Sequence, residues 1–216
     1  MVADFVSRAP DEFSPGALYD VLVAAVQPRP IGFISTVSMA GVANLAPFSF
    51  FMVGGIRPPS LMYCPTGGSQ GRDKDSLRNA EESGEFVANI VVRSMVPGMN
   101  EAGFDYPSDV SEWPATGFTP LDSHVVRPAR VAESPVQLEC RTFQVIRHGT
   151  GPFATNYVIG EIVRLHVRED LLQDGAIHPD RLRPVGRLGG GDYIDLANGE
   201  IFTLPRPMPV RSSSSS

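Results

Sequence analysis

Three residues with anion-binding side chains, Arg72, Lys74 and Ser76, alternate along the segment that leads into a predicted short helix. Asp73 or Asp75 is predicted to cap this helix, which ends before a glycine. A guanidinium, an ammonium and a hydroxyl beside a helix N-terminus suit a phosphate-like anion, and the helix dipole adds about 0.3–1 kcal/mol. Lys74 is the only lysine of the chain. Either a compact ammonium is needed there, or an arginine-biased composition has left one lysine by chance.

A second concentration of polar side chains lies in a predicted hairpin. Strands are predicted over residues 31–37 and 44–51, joined by a short loop in which Gly41 can adopt a positive φ. Ser35 and Thr36 are candidates for contact with a polar ligand, the alternative being ordinary strand hydroxyls. Because successive side chains of a strand point to opposite faces, at most one of the two can face a ligand unless a bulge intervenes.

The second strand of this hairpin carries further candidates. A buried asparagine without a partner costs on the order of 1–3 kcal/mol, so Asn44 is expected to bind something, the alternative being a residue that flanks the turn. Ser49 is the next polar residue of the strand. Pro47 has no N–H, so strand pairing is predicted to break at Ala46, Pro47 and Phe48 and to free backbone groups for a ligand.

Arg29 is held between Pro28 and Pro30, which stiffen its backbone. Its guanidinium is therefore well placed to reach an anion. The alternative is an ordinary surface arginine.

Composition excludes several classes of protein. The chain has 216 residues and a net charge of −6, which argues against nucleic-acid and anionic-membrane binding surfaces. Its two cysteines, Cys64 and Cys140, are far apart, so neither a disulfide framework nor a zinc site is expected, and no metal ligands are predicted. The N-terminal region lacks the apolar core of a signal peptide, and the apolar run 21–26 is too short to span a bilayer. We expect a soluble cytoplasmic protein.

Many short strands and few helices predict a mainly β, barrel-like domain. Residues 1–18 are predicted to be an N-terminal arm, 19–204 the domain and 205–216 a disordered tail. Residues 19–26 form either a short helix or an entry strand. Further strands are expected over residues 60–64, 86–92, 125–133, 136–146 and 157–167, with a second helix over 94–103. The proline-rich segment 104–123 is predicted to be a long irregular insertion.

Five blocks of the chain, in order, resemble the flavin reductase-like family of FMN-binding split barrels. They are PRPIGFISTVSMAGVANLAPFSFF at 28–51, GRDKDSLRNAEESGEFVANIV at 71–91, RVAESPVQLECRTFQVI at 130–146, NYVIGEIVRLHV at 156–167 and RPVGRLGGGDY at 183–193. The resemblance implies an FMN-binding split β-barrel of Greek-key-like topology. It also implies a homodimer, because the family builds its site at a subunit interface.

The resemblance also assigns a cofactor site. It implies FMN, with FAD as an alternative, and NAD(P)H as co-substrate. The phosphate is expected in the block that opens the helix, the ring on the backbone of the first block, and the C-terminal block over the flavin of the same or a partner subunit. The implied binding residues are Arg29, Ser35, Thr36, Asn44, Ala46, Pro47, Phe48, Ser49, Arg72, Lys74, Asp75, Ser76, Arg187 and Tyr193.

No catalytic residue is predicted, because the chain has no HExxH motif and no dinucleotide motif. In flavin reductases the cofactor supplies the hydride chemistry, and reduced flavin serves an acceptor or a partner monooxygenase. The Gly-Asp-His motif of two-component reductases is replaced here by the sequence PFATN at 152–156, which puts the usual nicotinamide contact in doubt and fits a flavoredoxin-like branch. The alternatives are a non-catalytic FMN carrier and a flavin enzyme that acts on an organic substrate with oxygen.

Overall fold

The computed structural model describes residues 3–67, 71–178 and 180–199. The α-helices are α1 (Pro15–Ala25), α2 (Asp75–Ser83), α3 (Val96–Glu101) and α4 (Trp113–Thr116). The strands are β1 (Arg29–Pro30), β2 (Gly32–Val37), β3 (Ala43–Phe48), β4 (Phe51–Ile56), β5 (Pro59–Tyr63), β6 (Glu85–Ile90), β7 (Pro120–Leu121), β8 (Arg130–Val131), β9 (Val136–His148), β10 (Thr155–Val167), β11 (Leu172–Gln173), β12 (Ala176–Ile177), β13 (Val185–Arg187) and β14 (Tyr193–Asp195). The predicted tail, 205–216, lies outside the described residues, as does the end of the predicted domain.

A seven-stranded antiparallel sheet in the order β3-β2-β6-β9-β10-β5-β4 forms the centre of the fold. A smaller sheet, β1-β13-β14, packs beside it and brings the C-terminal block next to the first block. This architecture confirms the prediction of a mainly β fold with a few short helices. None of the described helices is long and apolar enough to cross a bilayer.

Strand β2 is buried on both of its faces, which explains its nearly continuous apolar and small-residue sequence. Phe33 packs into a cluster beneath α3 and the insertion, whereas its neighbour Ile34 packs into a second cluster with Tyr63, Phe86 and other residues. Since both faces of β2 are covered, its polar residues are also inside the protein.

Helix α2 forms close to where the sequence predicts it. Leu77 and Ala80 are buried, and Gly84 ends the helix in the left-handed conformation with φ of 70°. The predicted aspartate cap is wrong, because Lys74 is the N-cap residue and no side chain caps the helix. The first turn of α2 therefore keeps amide groups that no side-chain cap satisfies.

Three strand predictions need correction. The strand predicted over 44–51 ends at Phe48, and a bend separates it from β4. Pairing also does not break at Pro47, which lies opposite Phe33 in the ladder. Strand β3 is at the edge of the sheet, where a proline is tolerated because its missing N–H can face away from the neighbouring strand. The strand predicted over 125–133 is reduced to the two residues of β8.

Other elements refine the sequence-based alternatives. Residues 19–26 are helical rather than extended, since α1 runs from Pro15 to Ala25 and therefore starts inside the segment predicted as an arm. Ser14 caps it through a hydrogen bond from the backbone amide of Ala17. The second predicted helix begins with a 3₁₀ turn, and its α-helical part is α3. The insertion at 104–123 contains α4, and its Trp113 is buried in the cluster beneath α3.

Candidate functional site

Two adjoining cavities lie along β3. The small cavity, of about 130 Å³, is bordered by β3, by the start of α2 and by residues 102–106. The large cavity, of about 580 Å³, is bordered by the end of β3, by α3 and by the β13-β14 pair. Pro47, Gly103 and Phe104 line both, so the two cavities form one continuous recess.

The small cavity has an anion-binding end at the start of α2. Lys74 and Ser76 both line it. The hydroxyl of Ser76 is buried and has no hydrogen-bond partner among the described residues. Because a buried hydroxyl without a partner costs free energy, Ser76 is expected to bind a ligand atom. An orphaned hydroxyl beside an uncapped helix N-terminus and an ammonium fits a phosphate group.

The ammonium of Lys74 already contacts a carboxylate. Its Nζ lies 3.0 Å from Oδ1 of Asp105, which belongs to the insertion. The hydrogen bond and charge of Lys74, together with the charge of Arg72, hold the pKa of Asp105 below its ordinary value. The carboxylate of Asp75 also lines the small cavity and is paired with Arg78. The arrangement places one anion on Lys74 at the point where a ligand phosphate would have to bind.

A chain of buried hydrogen bonds fixes Asn44 on the wall of the small cavity. Asn79 Nδ2 donates to Thr36 Oγ1 at 3.0 Å, and Thr36 Oγ1 donates to Asn44 Oδ1 at 3.1 Å. Asn44 Nδ2 in turn donates to the carboxylate of Glu112, which also accepts the backbone N–H of Leu45 at 2.9 Å. These partners set the amide orientation of Asn44, so the residue is a prearranged part of the wall.

Glu112 is a site residue that the sequence did not reveal. It lines the small cavity from the insertion, and burial raises the pKa of its carboxyl group while the hydrogen bonds from Leu45 and Asn44 oppose that rise. Its carboxylate accepts the backbone N–H of Leu45 on the unpaired edge of β3. This hydrogen bond holds the insertion against the strand. The one signal in the sequence is the large apolar residue next to it, Trp113. Trp113 is buried and so brings this part of the insertion against the core.

The large cavity is bordered by Arg187 and Tyr193, which face each other across the β13-β14 ladder. The guanidinium of Arg187 lies over the ring of Tyr193, 4.4 Å from its centre, and Arg187 Nη2 donates to the carbonyl of Gly190 at 2.6 Å. Ser49 lines the same cavity. The C-terminal block thus supplies a fixed cation to the recess.

Arg29 lies behind this wall. Its buried guanidinium donates to the backbone carbonyls of Val23, Val26 and Leu188, and its Nε donates to Ser49 Oγ at 3.4 Å. Burial lowers the pKa of Arg29. These bonds join α1 to the C-terminal block, so Arg29 has a structural role, while its predicted contact with the cofactor stays a prediction.

The structure therefore gathers most of the predicted site residues. Those that line a cavity are Asn44, Ala46, Pro47, Phe48, Ser49, Lys74, Asp75, Ser76, Arg187 and Tyr193. Those that line neither cavity are Arg29, Ser35, Thr36 and Arg72. Ser35 and Thr36 are fully buried, and the hydroxyl of Ser35 has no partner among the described residues. Thr36 acts on the small cavity through Asn44.

Comparison with known proteins places this geometry in a family. The family model described as a flavin reductase like domain matches residues 25–186. The crystal structure of nitrilotriacetate monooxygenase component B from Bacillus cereus is 35% identical, with a TM-score of 0.88 over 94% of this chain and 100% of that one. The 2-nitrobenzoate 2-nitroreductase from Pseudomonas fluorescens is 28% identical, with a TM-score of 0.83 over 95% of this chain and 100% of that one.

A third structure identifies the architecture. It is described as a flavin reductase with a split barrel domain, from Shewanella frigidimarina, and is 21% identical with a TM-score of 0.77 over 91% of this chain and 96% of that one. At this identity it shows the fold alone, and it confirms the predicted split barrel. The family model covers well over half of the chain. Its match includes β3, the start of α2 and the insertion at 104–123. The chain belongs to the flavin reductase-like family.

Proposed function

We propose that the protein binds FMN along β3 and uses it as an NAD(P)H-dependent flavin oxidoreductase. The observation that carries the proposal is the unpartnered hydroxyl of Ser76, which lies beside Lys74 at the uncapped start of α2. A phosphate in the small cavity would satisfy that hydroxyl, the ammonium and the first amides of the helix together.

The edge position of β3 supports placing the ring next to the phosphate. Among the described strands β3 pairs only with β2, so the backbone groups of Leu45 and Pro47 face its other edge. Glu112 accepts the N–H of Leu45, which leaves the carbonyl groups of Leu45 and Pro47 on that edge. From Leu45 to Phe48 strand β3 spans about 10 Å, which is long enough for a ring system to lie along its backbone. The flavin ring would then extend from the small cavity into the large one.

Bound FMN would supply the hydride chemistry, which explains why no protein acid or base is needed. The chain's own residues would hold the phosphate, through Lys74 and Ser76, and fix the wall, through Asn44 and Glu112. Homology to a monooxygenase component B supports delivery of reduced flavin to a partner monooxygenase. A homodimer and a cytoplasmic location belong to the same proposal.

A second candidate function is direct reduction of a small organic acceptor. It is favoured by the large cavity, whose volume of about 580 Å³ lies within the range of pockets that bind whole small molecules. The nitroreductase among the similar structures acts, by its name, on 2-nitrobenzoate. An FMN carrier without a productive nicotinamide site is the remaining alternative.

The phosphate assignment predicts that Lys74→Ala weakens FMN binding far more than riboflavin binding. A charge-assisted hydrogen bond contributes about 1.5–3 kcal/mol, so we expect roughly a 10- to 100-fold rise in the Kd for FMN. Riboflavin, which lacks the phosphate, should bind unchanged. Calorimetric titration measures both, with Arg141→Ala as the control because Arg141 is exposed and lines neither cavity. Equal losses for the two ligands would refute the phosphate site.

The reductase assignment is tested by the absorbance of FMN-loaded, desalted protein after anaerobic addition of NADH or NADPH. Loss of the flavin band within seconds supports the reductase. A band that neither nucleotide bleaches favours the carrier. Oxygen consumption that depends on an added organic substrate favours a flavin enzyme that acts on that substrate with oxygen.

A further inference from the structure

The large cavity has positive charge on one wall that no described carboxylate neutralises. Arg187 lines the cavity and Arg29 lies behind Ser49, yet neither guanidinium has an Asp or Glu oxygen within 4.0 Å among residues 3–67, 71–178 and 180–199. The only carboxylate of the lining, that of Glu101, instead accepts a hydrogen bond from Tyr106 at 3.0 Å.

Arg187 is held in place and keeps donors available. Stacking on Tyr193 fixes the plane of its guanidinium, and its hydrogen bond to Gly190 uses one of its five N–H groups. A planar guanidinium with a free pair of donors matches a carboxylate better than it matches a single neutral acceptor.

Ser49 supplies a second donor to the same cavity. Its Oγ accepts the Nε–H of Arg29, so the hydroxyl hydrogen of Ser49 is free to be donated to a ligand. The rest of the lining combines aromatic and apolar side chains, from Tyr19, Ile31, Met99 and Phe104, with the polar side chains of Asn100 and Glu101. The combination suits a flat apolar body that ends in an anionic acceptor group.

We infer that the large cavity binds, next to the flavin, a second substrate that is a small aromatic carboxylic acid, with Arg187 and Ser49 as the residues that recognise its carboxylate. The inference rests on the proposed function for the position of the flavin ring. It makes Arg187 a specificity-determining residue rather than a flavin contact. A neutral analogue of the same shape lacks the charge that Arg187 would pair with and should bind weakly.

The probes are benzoate and its neutral analogue benzamide, titrated by calorimetry into the protein with and without FMN. We expect benzoate to bind at least tenfold more tightly than benzamide in the FMN-loaded protein. Arg187→Gln should abolish that preference, and Ser49→Ala should reduce it. Arg141→Gln, which removes an exposed arginine outside both cavities, should leave the preference intact.

Several results would overturn the inference. Equal binding of benzoate and benzamide would do so, and so would an unchanged preference in Arg187→Gln. A loss of FMN and riboflavin affinity in Arg187→Gln as large as the loss of benzoate affinity would make Arg187 a flavin contact. Displacement of benzoate by inorganic phosphate, together with a preference for NADPH over NADH that Arg187→Gln removes, would assign the cation to a nucleotide phosphate instead.

The two proposals fail separately. If the protein retains no FMN but still prefers benzoate through Arg187, the FMN proposal is wrong and the carboxylate site stands. If it retains FMN through Lys74 but does not distinguish benzoate from benzamide, the carboxylate site is wrong and the FMN proposal stands.

Discussion

At the scale of single residues, Asp105 competes with the proposed phosphate for Lys74. Both side chains are well exposed, at 40% for Lys74 and 71% for Asp105, so their ion pair is weak and easily broken. A phosphate at the ammonium would share Lys74 with this carboxylate and would be repelled by its negative charge. In the proposed site, the insertion would therefore oppose FMN binding through one exposed carboxylate.

Asp105→Asn is accordingly expected to lower the Kd for FMN by about two- to fivefold, which is the range that an exposed ion pair contributes. The affinity for riboflavin should not change, because it has no phosphate to compete. Fluorescence titration of both flavins measures the effect, and Asp109→Asn, another exposed acid of the insertion, is the control. In a Lys74→Ala background the gain should disappear. A gain that persists there would mean that Asp105 acts on the ligand without Lys74.

Residues whose role depends on nearby sequence could be predicted, and those whose role depends on distant contacts could not. Lys74 and Ser76 could be proposed because they lie at the start of a helix that the local pattern already predicts. Glu112 was missed because its partners, Asn44 and Leu45, are 68 and 67 positions away in the chain. Ser35 and Thr36 were proposed as ligand contacts because the sequence does not show that β2 is covered on both faces.

At the scale of elements, close contact between strands fixes the shape of the barrel. Gly160 of β10 lies at a register shift opposite β9, and a Cβ placed on it would be 2.3 Å from Cζ of Phe86. The ring of Phe86 is fully buried and packs edge-to-face against Tyr63, so it cannot move aside.

Gly160→Ala should therefore destabilise the protein by about 1–3 kcal/mol, the usual cost of forcing extra atoms into a packed core. Urea unfolding measures the change in the free energy of unfolding. The matched control is Gly16→Ala in α1, where an added Cβ has no atom within 4 Å and a helical alanine should be neutral or stabilising. Equal effects of the two substitutions would contradict the packing argument.

The elements themselves were predicted well where a run of residues has one periodicity and poorly where the chain bends. Strands β9 and β10 and helix α2 appear close to their predicted positions, because alternation and the Gly84 stop are local signals. The predicted strand over 44–51 was too long, because the chain bends between β3 and β4. These two strands lie at opposite edges of the seven-stranded sheet. Such a bend depends on tertiary packing, and the apolar sequence continues across it.

At the scale of the whole molecule, the exposed apolar residues point to a second subunit. Strand β4 is the other edge of the seven-stranded sheet, and Met52, Val53 and Ile56 on it are 51%, 67% and 84% exposed. Helix α1 exposes Val21 and Leu22 as well. An open edge strand with apolar side chains is a surface that proteins usually cover.

We expect the protein to form a homodimer that buries β4. Light scattering on a size-exclusion column should give twice the mass of the chain, and Val53→Asp should convert the dimer to a monomer by placing a charge in the interface. Val125→Asp, at another exposed valine, should leave the dimer intact.

The FMN affinity of the Val53→Asp monomer then decides how much of the site one chain supplies. A weakened affinity would mean that the partner subunit completes the recess along β3, whereas an unchanged affinity would mean that the small cavity is sufficient. A wild-type monomer that binds FMN would contradict the dimer altogether.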